Sequence, residues 1–170
     1  MATTYEPNVV LAQEKFDVVG TRPARHDGVD KVIGQARYGA DFSLPGMQHA
    51  KILRSPHAHA RIRSIDTSRA ETLPGVRAVV TAADLPETAP GETFTGAMGA
   101  MDLKRLRDGV LASEKVLYKG HPVAGVAAVS PHVAEEALAL IEVDYEVLPQ
   151  VLTTPDGMAD GAPLLHEGLR

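Results

Sequence analysis

Residues 122–149, PVAGVAAVSPHVAEEALALIEVDYEVLP, decide the fold. Val123 to Val129 is a run of small apolar residues, the pattern of a buried strand. Ser130 can cap a helix and Pro131 can occupy its first turn, and Val133, Ala134, Ala137, Leu138 and Ile141 then fall on one apolar face. Ile141 to Val147 alternates apolar and acidic residues as a half-exposed strand does, until Leu148-Pro149 ends it. The order is strand, helix, strand.

A similar order is repeated upstream. AKILRS (50–55) and ARIRSID (60–66) are extended segments separated by Pro56, free to pair with each other or to form one bent strand. Ser68 and Glu71 have capping-box spacing, so a short helix is expected before Pro74-Gly75 stops it. Val76 to Thr81 is β-branched enough for a buried strand. Residues 86–109, rich in Gly, Pro and Thr, are expected to form a long surface loop with at most one helical turn near Leu103 to Leu106. LysValLeuTyr at 115–118 supplies a short strand before a Gly-His-Pro turn. Residues 1 to about 47 hold many turn formers and read as an extended arm with a short strand near Ala36 to Tyr38. Together these elements predict an α/β (α+β) domain of two βαβ-like units with an extended N-terminal arm.

Composition narrows the function. A chain of 170 residues that is 44% hydrophobic can bury a core. A net charge of −5 argues against a nucleic-acid partner. With no cysteine the chain forms no disulfide, no thiolate zinc site and no cysteine-ligated iron–sulfur cluster. Aromatic residues make up only 4%, which disfavours a base-stacking platform. The start, MATTYEPNVVLAQEKFDVVG, has no apolar run of signal-peptide length and no later segment has the length of a membrane span, so a cytoplasmic location is expected.

The residues that invite a chemical reading are His57 and His59 in RSPHAHARI (54–62). On a strand, residues 57, 59, 61, 63 and 65 share one face, which would set the two imidazoles side by side. The same face would carry Arg61 and Arg63, with Arg54 near, and these cations oppose a divalent metal. A polar, partner-facing or solvated strand surface is the expectation. His26, His49, His121, His132 and His166 show no ligand spacing and are assigned to surface or turn positions. Gly96-Ala-Met-Gly-Ala-Met101 lacks the Lys-Ser/Thr of a phosphate loop and the full dinucleotide fingerprint. Glu135, Glu136, Glu142, Asp144 and Glu146 read as solvated faces, and no serine sits in a Gly-x-Ser-x-Gly context.

Five ordered stretches carry a family likeness: VGTRPARHDGVDKVIGQARYGADFSLPGM (19–47), KILRSPHAHARIRSIDTSRAETLPGVRAVVTAADLP (51–86), LASEKVLYKGHPVAGVAA (111–128), AEEALALIEVDYEVLP (134–149) and APLLHE (162–167). They resemble the start of the large, molybdenum-binding subunit of the xanthine dehydrogenase, aldehyde oxidase and carbon monoxide dehydrogenase family. The resemblance implies an α/β hammerhead domain at 19–152, an N-terminal arm at 1–18, and a tail at 153–170 that leads to or docks on a molybdenum-binding partner. It implies a hetero-oligomer with a larger molybdopterin-binding region, a [2Fe-2S] module with two clusters and an FAD module. The expected role is structural and assembly-related, as hammerhead domain or split subunit of a complex that hydroxylates a small substrate with oxygen from water and passes electrons through [2Fe-2S] clusters to FAD. The family's cofactor-binding glutamine and catalytic glutamate belong to later domains, so no catalytic, cofactor-binding or metal-binding residue is assigned here. His57 and His59 fall to architecture. The alternative is an independent small-molecule or metal-binding module with the same fold.

Overall fold

The computed structural model describes residues 16–19, 23–89, 91–96 and 99–166. The chain divides after Ser43 into two units.

The first unit contains a short helix, α1 (Gly28–Val32), and a 3-10 turn at Gly39–Asp41. Asp27 draws Arg25 and Lys31 together at 2.6 Å each. Both neighbours hold its carboxyl below the usual range, Arg25 foremost. No strand forms at Ala36 to Tyr38, because Gln35 and Ala36 donate their backbone N–H groups to Asp30 O in a turn. Of the arm expected at 1–18, all but residues 16–18 lies outside the described residues.

The second unit holds two three-stranded sheets. The first has the order β1 (His49–Arg54), β7 (Pro122–Ala128), β3 (Val76–Thr81), and the second the order β6 (Lys115–Val116), β2 (Ala60–Asp66), β8 (Glu142–Val147). Every pairing is antiparallel. The two extended segments around Pro56 therefore neither pair nor merge: β1 ends in one sheet and β2 begins in the other. Both strand–helix–strand units exist, β2 to β3 through α2 (Ser68–Glu71) and β7 to β8 through α4 (Pro131–Ala139), and each crosses between the sheets.

Helix α4 forms as its caps require. Ser130 Oγ accepts from Val133 N–H, Pro131 fills the first turn, and Ala134 and Ala137 are fully buried. Small residues on both elements let α4 lie close on β7, where Ala124, Val126 and Ala128 join the same cluster with Ala70 and Ile141. A second cluster, Ala60, Ala112, Val116 and Val123, sits beneath the other sheet. Helix α2 is as short as expected, but the predicted Ser68–Glu71 box is absent. Asp66 Oδ1 accepts Ser68 N–H at 2.9 Å instead, and the Thr67 hydroxyl donates to Glu71.

Two expectations change. Val76–Thr81 lies at a sheet edge and is only half buried. Residues 86–109, expected as a loop, contain a hairpin, β4 (Thr93–Gly96) with β5 (Gly99–Asp102), and an eight-residue helix, α3 (Leu103–Val110). Asp102 makes the helix possible by accepting Arg105 N–H at 2.8 Å as its N-cap. A last short helix, α5 (Thr154–Met158), is capped by Thr153, whose hydroxyl oxygen accepts Asp156 N–H. No helix among the described residues is long and apolar enough to cross a membrane.

Candidate functional site

The chemically distinctive side chains of the second unit gather where its two sheets meet. Here the chain passes from β1 to β2 through RSPHAHARI and from β6 to β7 through the Gly-His-Pro turn. Ser55, almost fully buried, ties the crossings together: its N–H donates to His121 O and its carbonyl accepts Gly120 N–H, both at 2.9 Å. Arg54 Nη1 also donates to Gly120 O at 2.9 Å. The Ser55 hydroxyl lies 3.0 Å from His57 N and 3.1 Å from His57 O, which curls residues 55–57 away from strand geometry.

This curl separates the two histidines. Strand β2 begins only at Ala60, so His57 and His59 do not share a strand face. His57 packs edge-on against Tyr145, ring centres 5.1 Å apart. Burial raises the Tyr145 phenol above its ordinary pKa, with Ser55 hydrogen bonding opposing that shift. His59 is 5% exposed and its Nδ1 lies 2.7 Å from Pro149 O. A carbonyl only accepts, so Nδ1 carries a proton, and the buried Nε2 has no hydrogen-bond partner among the described residues. Leu148 N–H donates to His59 O at 3.0 Å, closing the end of β8 over the same turn.

Sequence reasoning placed His121 among surface or turn residues; it occupies the turn but is 0% exposed. Its Nδ1 accepts Leu117 N–H at 3.1 Å and its Nε2–H donates to Asp108 O at 2.8 Å. Tyr118 stacks on the ring at 4.5 Å. This is a neutral imidazole with both nitrogens used. Desolvation lowers its pKa, against the opposing pull of Asp108. The signal available in sequence was the setting: a histidine between Gly120 and Pro122, directly before an all-apolar strand, has little water to face.

A pH dependence follows. The native pKa lies below the unfolded value of about 6.5, so the two states bind equal protons above that value. As pH falls through 6.5 the unfolded chain takes up the proton first, and stability declines by up to about 1.4 kcal/mol per pH unit until the native ring also protonates. The urea midpoint should therefore fall between pH 7 and 5, and His121→Gln should flatten that part of the curve. An unchanged slope in the variant would assign it elsewhere.

Around α3 lies an open hollow of about 360 Å³ lined by Asp102, Lys104, Arg105, Asp108, Glu114 and His166 among others. Two of its charges, Lys104 and Asp108, pair with each other. Asp108 accepts from Lys104 Nζ at 2.8 Å and from Ser113 Oγ at 2.6 Å. Burial pushes the Asp108 carboxyl up, but these bonds outweigh it and the net shift is down. On β2 and β8, Arg61 and Arg63 both reach Glu146, at 3.6 and 3.5 Å, and Arg69 on α2 meets Glu142 at 3.1 Å. The acidic strand thus answers the basic one.

No cysteine is present to ligate an iron–sulfur cluster, and no three His, Asp or Glu side chains among the described residues converge on one point. The arrangement braces a joint between the two sheets.

Residues 33–149 match the family model described as aldehyde oxidase and xanthine dehydrogenase, a/b hammerhead domain. The chain belongs to this family. The hammerhead chain is 42% identical to the carbon monoxide dehydrogenase large chain of Afipia carboxidovorans over 168 residues, 99% of this chain and 20% of that one. It is 38% identical to subunit gamma of the 6-hydroxypseudooxynicotine dehydrogenase complex of Paenarthrobacter nicotinovorans, over 88% of this chain and 19% of that one. The crystal structure of a Cu,Mo-CO dehydrogenase in its carbon monoxide reduced state shares its fold, with TM-score 0.69 and 40% identity over 89% of this chain and 18% of that one. The hammerhead chain spans about a fifth of the length of these relatives.

Proposed function

We propose that the chain is the hammerhead unit of a molybdopterin-dependent hydroxylase or dehydrogenase, present as a domain or split subunit, and that its work is assembly. Its partners in this reading are a larger molybdopterin-binding polypeptide, a [2Fe-2S] module and an FAD module, joined in a cytoplasmic hetero-oligomer. Those partners supply the redox chemistry: hydroxylation of a small substrate with oxygen from water, and transfer of the electrons through the clusters to FAD. This chain's residues hold the unit rigid. Ser55, His59 and His121 lock the crossing of two sheets, and the tail from residue 153 is the segment proposed to run onto the molybdenum-binding partner.

The observation that carries the proposal is the 42% identity spread over 99% of the chain against one fifth of a carbon monoxide dehydrogenase large chain. The rival reading is an independent small-molecule module; in the hollow lined by Asp102, Lys104 and Asp108, Lys104 and Asp108 already pair with each other.

Metal analysis and a dye-linked dehydrogenase assay on the purified chain test the proposal. The chain alone should carry no molybdenum, iron or flavin and show no turnover. Stoichiometric molybdenum, or turnover by the isolated chain, would contradict it.

A further inference from the structure

Residues 114–119 form a flap that is pinned at both ends and lightly held between them. On one side Ala112 N–H donates to Pro122 O at 2.8 Å and Ser113 Oγ to Asp108; on the other Gly120 N–H donates to Ser55 O at 2.9 Å. The flap contains only the two-residue strand β6, which pairs with Ala60 and Arg61 at the edge of its sheet. Ile62 N–H donates to Glu114 O at 2.8 Å, Val116 is fully buried, and His121 N–H donates to Tyr118 O at 3.1 Å. One further bond differs in kind. Leu117 N–H donates to His121 Nδ1 at 3.1 Å, and this acceptor can itself take a proton.

The ring offers that proton a single place. Nε2–H is committed to Asp108 O at 2.8 Å, which leaves Nδ1. An N–H there would face Leu117 N–H, donor against donor, at a residue that is 0% exposed. Tyr118, itself half exposed, covers one face of the ring at 4.5 Å. Lifting the flap removes Leu117 and Tyr118 together. Water then reaches Nδ1 while Nε2–H keeps its bond to Asp108 O.

Charged groups approach the ring from several elements. From α3, Asp108 favours a proton on the ring, but its carboxylate is already held by Lys104 at 2.8 Å and Ser113 at 2.6 Å, with Arg107 beside it. From β1, Arg54 sits on Gly120 O at 2.9 Å and opposes a second cation. The flap brings Glu114, Lys115 and Tyr118. His57 and Tyr145 both bond to Ser55, whose N–H is held by His121 O. Desolvation outweighs the pull of Asp108 and keeps the ring neutral while the flap is shut.

We propose that the flap is a proton-operated catch: protonation of His121 at Nδ1 expels Leu117 N–H and releases residues 114–119, while the sheet β1-β7-β3 and the β2-β8 pair stay folded. The sign follows from the two states. With the flap lifted the ring is in water and takes its proton near the ordinary value of about 6.5, so opening grows as pH falls through that value. Release uncovers Val116 and leaves the outer edge of β2 unpaired at Ala60 and Arg61. The catch belongs to this unit alone and does not rest on the assembly reading.

Amide exchange of the full chain, followed residue by residue by NMR and corrected for the intrinsic effect of pH, tests the proposal. Between pH 7.5 and 5.5 the protection of the Leu117 and Ile62 amides should fall about tenfold, as expected for a ring that protonates freely only when the flap is open. At low urea concentrations their exchange should not respond to urea, because lifting the flap exposes little surface, whereas the amides of β7 should accelerate steeply. In His121→Gln the pH response should vanish. Leu117 and Ile62 amides that follow the urea dependence of β7 would show that only global unfolding frees them, and would overturn the catch. A wild-type response to pH below twofold, or a tenfold response that survives in the Gln variant, would also overturn it. Should the variant fail to fold, the urea and pH series on the wild-type chain decide.

Discussion

Replacing His121 with leucine should destabilise the protein by about 3 kcal/mol. Leucine fills much of the ring's space but leaves Leu117 N–H and Asp108 O without partners in a site closed to water. Each unsatisfied buried group costs about 1–3 kcal/mol, and the added apolar burial returns only part of that. For a protein of this size the loss corresponds to roughly 6–12 °C in Tm. Gln carries a donor and an acceptor on one amide, so it should restore part of the bonding and fall between the two. Urea denaturation at pH 7.5, above the titration of the ring, isolates this term. A leucine variant within about 0.5 kcal/mol of wild type would mean that the joint between the sheets is not held by this ring.

Gly75→Ala should cost nearly as much, for a different reason. Leu73, Pro74, Gly75 and Val76 form a tight turn closed by Val76 N–H to Leu73 O, with Gly75 at φ +96°. A side chain there is strained by about 1–2 kcal/mol. Its Cβ would also lie 3.0 Å from Val129 Cγ2 and 3.3 Å from Val133 Cγ1, where α4 presses on the turn. Overpacking of this kind adds on the order of 1 kcal/mol or more. Gly120, at φ +90° with no atom within 4 Å of its Cβ position, is the control for strain alone. Denaturation of both alanine variants should rank Gly75→Ala below Gly120→Ala by at least about 1 kcal/mol. Equal costs would remove the packing contribution of α4 from the account.

The parts of the fold legible in the sequence are those whose signals are local. Ser130-Pro131 announces α4, and IEVDYEV announces β8 through its alternation, because capping and period-two patterning are read from neighbours in the chain. What was not legible depends on partners far away. Nothing near Pro56 says that β1 will pair with β7 while β2 pairs with β6 and β8, since register and sheet membership are tertiary choices. The hairpin and α3 within 86–109 were hidden by Gly, Pro and Thr, and the cap that decides α3 is a single Asp102. The histidines show the same division. RSPHAHARI was read as a strand face with paired imidazoles, but Ser55 bonds its own neighbourhood and the opposing turn, which curls the segment and buries His59 alone against Pro149. His121 was passed over because its role rests on Asp108, thirteen residues away. The family likeness, by contrast, was carried by the order of whole stretches and did not require any of these contacts.

The assembly role is tested most directly by purifying the tagged chain from its native host and measuring molybdenum and polypeptide composition together. The account predicts molybdenum in the purified assembly, held with a co-purifying polypeptide or extension that matches the unspanned four-fifths of the relatives, and lost from the chain when that part is stripped away. A chain that purifies alone, or that keeps stoichiometric molybdenum after every partner is removed, would contradict it.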